Sequence, residues 1–243
     1  MPCLRLSLAP MARRNLILLT VLFTVFLAPL ATAATTHTVT KTADTADGTC
    51  DADCSLREAI GAANAGAGGD TIDIPAGTYS LTIAGNGEDS NATGDYDILA
   101  SVAIVGAGAG STTINGTGLD RVFDIDPLGA GGVVVSIPGV TITGGGADYT
   151  HGGGIQNSGT LFISNSVITG NTAAWNHGGG NAGHGGGILN AGTLLISNST
   201  ISNNSDVVSG GGIYSAGRGQ QNQGNQGDAD RDARMSVALS ETD

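Results

Sequence analysis

The chain has 243 residues, a net charge of −12, 41 glycines and only 4% aromatic side chains. Such an excess of acid disfavours nucleic acid and anionic membrane surfaces as partners. So much glycine with so few aromatics suits neither a helical bundle nor an ordinary α/β core, and points to flat strands and many turns.

Residues 1–33 read as a secretory signal peptide. Arg5, Arg13 and Arg14 precede an apolar run from Leu16 to Leu30, and Ala31-Thr32-Ala33 supplies a small-x-small cleavage site. The run is short for a membrane span, so the mature chain is expected to be secreted or held at the cell surface, with no span of its own. Cleavage removes three of the nine basic residues and none of the 21 acidic ones, which moves the net charge to −15. Cys3 leaves as well. The remaining pair, Cys50 and Cys54, is expected to form a disulfide in an oxidising compartment. Zinc would need two further ligands, and no suitably spaced His or Cys stands nearby.

Residues 34–75 read as an N-terminal cap. Ser55 and Glu58 form the S-x-x-E capping box, and Leu56, Ala59, Ile60 and Ala63 follow as one apolar stripe. Gly66 can end the helix, so a short helix is predicted over Ser55–Asn64.

Two acidic stretches come next. "NGEDSNATGDYD" gathers Asn86, Glu88, Asp89, Asn91, Asp95 and Asp97, a density of oxygen donors that suits the six to eight ligands of a structural calcium. The glycine-rich calcium nonapeptide is absent. "LDRVFDID" then places Asp120, Asp124 and Asp126 at even spacing beside Arg121. Paired carboxylates are what inverting glycoside hydrolysis requires, but on one face of a strand these are expected to be solvated outer-face charges.

The rest of the chain repeats itself. "HGGGIQNSGTLFISNSVITGN" (151–171) returns as "HGGGILNAGTLLISNSTISNN" (184–204). Ile155 matches Ile188, Asn157 matches Asn190, Leu161 and Ile163 match Leu194 and Ile196, and Asn171 matches Asn204. Val135, Ile137, Val140, Ile142 and Gly145 form a fainter earlier copy, and a further GGGI opens at Gly210. Internal periods of this size mean stacked supersecondary units. The apolar residues alternate, as in strands, so the predicted fold is all-β: a right-handed parallel β-helix of roughly 25-residue rungs over 76–217, with a short N-terminal capping helix. Aligned asparagines are expected to bond from rung to rung. The surplus in the best repeat falls in 174–183, predicted to loop out.

The order "CSLREAI", "AAN", "DTIDIPAGTYSLTI", "GNGED", "GDYDI", followed by these rungs, resembles the secreted bacterial CSLREA-domain proteins of the pectin-lyase-like superfamily, over roughly residues 36–217. The resemblance implies a β-helix on or outside the cell and leaves any reaction open. The Ser55–Asn64 helix is then expected to close the N-terminal end of the stack, with Leu56, Ile60 and Ala63 facing Ile72, Ile74 and Leu81.

Further candidates are thin. Gly183-His184-Gly185 resembles a motif of polygalacturonase-like hydrolases, but the accompanying NTD, DD and RIK motifs are missing. His151, His177 and His184 could share a metal only if the loop before His184 folds back, and Trp175 on that loop could stack on a sugar or pack on its own rung. Sequons stand at Asn91, Asn115, Asn198 and Asn203. The reading is a secreted or surface scaffold, adhesin or binding module for an extracellular glycan or surface protein, with no cofactor and no complete catalytic set. The alternative is a polysaccharide lyase or glycoside hydrolase. From Arg218 the polar tail is predicted to be disordered, leaving the last rung uncapped and open to self-association.

Overall fold

The computed structural model describes residues 33–146, 151–173, 183–206 and 210–216. Residues 1–32 of the expected signal peptide, residues 174–182 of the expected loop with Trp175 and His177, and the tail from Arg218 lie outside the described residues. Among the described residues, sixteen short strands form three parallel sheets. The first sheet stacks β1 (Thr36–Thr38), β2 (Asp70–Ile74), β5 (Val102–Gly106), β8 (Val134–Pro138), β11 (Thr160–Ser164) and β15 (Thr193–Ser197). The second stacks β3 (Gly77–Ser80), β6 (Thr112–Asn115), β9 (Thr141–Thr143), β12 (Val167–Thr169) and β16 (Thr200–Ser202). The third stacks β4 (Tyr96–Ile98), β7 (Phe123–Ile125), β10 (Ile155–Asn157), β14 (Ile188–Asn190) and β18 (Ile213–Ser215). A minor ladder pairs β13 (Thr172–Ala173) with β17 (Ser205–Asp206). From β2 onward, with β13 and β17 set aside, successive strands visit the three sheets in turn, so the fold is the parallel β-helix predicted from the repeats.

The pairing follows the repeat. Ile155 sits on Ile188, Leu161 on Leu194, Ile163 on Ile196 and Ile168 on Ile201. The faint copy lies one turn below, with Val135 under Leu161, Ile137 under Ile163 and Ile142 under Ile168. Inward residues such as Ile72, Ile104, Ile137 and Ile163 make one continuous core. The rungs are less uniform than the 25 residues expected. Asp70 pairs with Val102, Val134 with Thr160, Thr160 with Thr193, and Ile188 with Ile213, so one turn consumes 32, 26, 33 or 25 residues. The difference lies in the segments between the strands.

The expected polar ladders form. Asn171 Nδ2 donates to Asn204 Oδ1 at 3.0 Å, and Asn157 Nδ2 to Asn190 Oδ1 at 2.6 Å, both inside the turns. The GGGI segments explain part of the glycine content. Gly153, Gly154 and Ile155 donate N–H bonds to Gly185, Gly186 and Gly187 in the next turn, and a Cβ on Gly153 would collide with the carbonyl oxygens of Thr172 and Gly186. Only glycine lets the backbones approach so closely.

The helix α1 (Leu56–Ala65) is capped by the predicted box, Ser55 bonding Glu58 N–H and Glu58 bonding Ser55 N–H. Leu56, Ala59, Ile60 and Ala63 are buried, and the helix packs on β1, β2 and β4. Ile72 and Ile74 therefore belong to the surface it covers, as expected, with Leu81 in the same core. The expected Cys50–Cys54 disulfide is present, joining cysteines 4 positions apart in sequence. Strand β1 extends the first sheet beneath β2, tied by Asp70, whose Oδ1 accepts Thr35 N–H at 2.8 Å and whose Oδ2 lies 3.1 Å from His37 Nε2.

Glu58 does more than cap. Its carboxylate also accepts the Thr45 hydroxyl at 2.8 Å and Asp47 N–H at 3.2 Å, and Lys41 Nζ lies 3.4 Å away. Burial opposes the charge, but the Ser55 and Asp47 N–H groups and the Thr45 and Ser55 hydroxyls outweigh it and hold the carboxyl at about 2. A folded pKa below the ordinary 4.5 means that this stabilisation is complete above pH 4.5 and fades as pH falls toward 2. The difference in melting temperature between the wild type and Glu58→Gln should therefore be wide at pH 6 and shrink between pH 4.5 and 2. A difference that does not change with pH would show that Glu58 acts only by shape.

Candidate functional site

The irregular chemistry sits in the first two turns, outside the third sheet. Period-2 alternation puts Phe123 and Ile125 of β7 into the core, which leaves Asp124 on the outer face. Tyr96 and Ile98 of β4 do the same for Asp97. Register then makes Asp97 and Asp124 direct neighbours on adjacent strands, with Gln156 of β10 next in line.

These carboxylates are not solvated. Asp97 is 1% exposed and Asp124 4%, because the segment between β3 and β4 folds back over them. That segment is shaped by its own residues. Glu88 accepts the N–H groups of Ser90, Ala92 and Thr93, and Asn91 takes a positive φ of 62°. Asn91 N–H then donates to Asp97 Oδ2 at 2.7 Å, and its side-chain amide donates to Arg57 O at 2.9 Å. Arg57 answers with bonds to the carbonyls of Gly94 at 2.7 Å, Asp95 at 3.1 Å and Asn91 at 3.4 Å.

Arg121 is the cation at the centre of the group. It bonds Asp124 Oδ2, its Nε lies 3.1 Å from Asp95 Oδ2, and Asp120 Oδ1 is 3.9 Å away. Gln156 Nε2 donates to the same Asp124 oxygen at 3.0 Å. One guanidinium does not balance four buried carboxylates. Desolvation, outweighing the Arg121 charge, pushes Asp95 up to about 8 and Asp124 up to about 6. Desolvation likewise carries Asp97 to about 7, against the Asn91 N–H bond, with like charge from Glu88, Asp124 and Asp89 adding to the rise. Asp120 is also raised, first by desolvation. Asp97 Oδ1, Asp124 Oδ1 and Asp120 Oδ2 are buried without a hydrogen-bond partner.

The expectation of solvated outer-face charges at Asp120, Asp124 and Asp126 is thus corrected: all three are buried. They also do not share one strand face. Only Asp124 lies within β7, and Asp126 sits apart in a turn at φ 56°, accepting the N–H groups of Ala130 and Gly131.

The predicted calcium set is likewise divided. Glu88 is consumed by its own loop, Asp95 by Arg121, and Asn86 is exposed. Asp89 and Asp97 remain, and Asp124 joins them from the other acidic stretch, one oxygen of each lying within 4.8 Å of the other two. The sequon residue Asn91 is buried.

Of the three candidate histidines, His151 and His184 form a stack, and His177 lies outside the described residues. The His151 and His184 rings are parallel at 5.4 Å, and Tyr214 stacks on His184 at 4.3 Å. His151 Nδ1 accepts His184 N–H at 3.1 Å. Burial and the neighbouring His184 lower the His151 pKa.

The residue that sequence reasoning missed is Arg57. A cation in the first turn of a helix opposes the helix dipole, and in so acidic a chain that placement is itself a sign of a tertiary partner. Among the described residues no helix is long and apolar enough to cross a membrane. No family model, curated protein or solved structure matches this chain.

Proposed function

We propose that the chain is a secreted or cell-surface β-helix module, a scaffold or adhesin that binds an extracellular glycan or surface protein without turning it over. The observation that carries this reading is the closure of the acidic group. Hydrolysis of a glycoside needs two carboxylates with room for a water and a sugar between them. Asp95, Asp97, Asp120 and Asp124 are each at most 5% exposed, and they face Arg121 and the covering segment rather than solvent. The outer faces beyond them carry ladders of matched residues, a repetitive surface suited to extended contact. The Cys50–Cys54 disulfide fits an oxidising compartment, and the resemblance to CSLREA-domain proteins points to the same location.

The test is a glycan panel incubated with the secreted protein, with and without calcium. Retention on some members, with no release of unsaturated or reducing-end products, is the expected result. Product release that disappears in Asp124→Asn would replace this reading with a lyase or hydrolase.

A further inference from the structure

We propose that Asp89, Asp97 and Asp124 hold a divalent cation of the calcium type, which clamps the segment between β3 and β4 onto the outer face of the third sheet. The proposal stands apart from the functional reading above.

Geometry and orphaned atoms carry it independently. One oxygen from each of the three carboxylates lies within 4.8 Å of the other two, a span one cation can bridge at ordinary metal–oxygen lengths. Asp97 and Asp124 are register neighbours on adjacent strands, so their carboxylates are held side by side by the backbone. Each has one oxygen already engaged, Asp97 Oδ2 by Asn91 N–H and Asp124 Oδ2 by Gln156 and Arg121. The other oxygen of each is buried with no hydrogen-bond partner. Buried acceptors of this kind are normally satisfied, and a carboxylate pair in a low dielectric repels unless positive charge intervenes. Arg121 reaches Asp124 but bonds neither Asp97 nor Asp89.

The donor set chooses the metal. All three ligands are hard carboxylate oxygens, with no imidazole or thiolate among them, which disfavours zinc and copper. Magnesium demands a near-ideal octahedron, whereas calcium accepts irregular oxygen sets completed by water. Asp89 is exposed, giving the ion a route in and water a place in its shell. Asp89 belongs to the covering segment, Asp97 and Asp124 to the sheet, so the ion would join two parts of the chain.

Full-length secreted protein, stripped with a chelator, would be melted in calcium chloride, magnesium chloride, and sodium chloride of equal ionic strength. At calcium a hundredfold above its dissociation constant the melting temperature should rise by about 5–10 °C. Equilibrium dialysis with radioactive calcium should give one ion per chain. Asp97→Asn and Asp124→Asn should abolish both signals, while Asp73→Asn, on an exposed position of β2, should keep them. Because the buried variants can fail to fold, Asp89→Asn serves as the second arm: exposed, it should fold normally and weaken calcium binding at least tenfold. An equal response to magnesium, no bound calcium, or full binding by folded Asp89→Asn would each overturn the proposal.

Discussion

Arg57→Met is expected to lower the unfolding free energy by about 3–5 kcal/mol and the melting temperature by roughly 6–20 °C. Arg57 is 1% exposed, and all five of its N–H donors are used. Nε and Nη2 hold Asp44 at 2.8 and 3.2 Å, Nη2 also holds Gly94 O, and Nη1 holds the carbonyls of Asp95 and Asn91. The guanidinium carbon lies 4.9 Å from the centre of the Tyr96 ring. Methionine fills similar volume but strands the buried Asp44 carboxylate and three carbonyls at once, and a stranded buried group costs its full desolvation. Asp44 would keep only the N–H groups of Thr82 and Ile83. Chemical denaturation of the variant checks this. A loss under about 1 kcal/mol, the scale of an exposed ion pair, would mean that Arg57 is solvated in solution.

The second large effect is expected at the other face of the same helix. Leu56 and Ile60 are at most 1% exposed, and burying each contributes roughly 1.5–3 kcal/mol. Changing both to Asp removes that and forces two carboxylates against Ile72 and Ile74. The double variant should lose α1 from the stack and then protection in β1 to β4, read by amide hydrogen exchange, while β11 to β15 exchange more slowly. A melting temperature equal to wild type would show that the helix does not close the N-terminal end.

These two predictions mark the line between what was legible in the chain and what was not. The pairings of Ile155 with Ile188 and Asn171 with Asn204 could be read because the same residues recur at one offset. The capping box and apolar stripe are local, so the helix was found to within one residue at each end. Asp97 and Asp124 were different. Alternation correctly places them on an outer face, yet nothing local says that the face is covered. The covering segment is held by Arg57, whose carbonyl partners lie 34 to 38 residues away. The Asp97–Asp124 pairing also falls in the first two turns, where the repeat is too eroded to give register.

The matched register of the later turns makes length an adjustable quantity. Thr160 to Ser164 meet Thr193 to Ser197 residue for residue, and Val135 and Ile137 meet the first of these copies with the same kind of contact. Deleting one such unit would set Val135 against Leu194 and Ile137 against Ile196, replacing each lost neighbour with its duplicate. A stack of this sort can grow or shrink by copying whole turns without redesigning its interior. The opening turns have no such freedom: Arg57, Asp44 and Tyr96 each occur once, so they anchor an end from which the remainder can be extended.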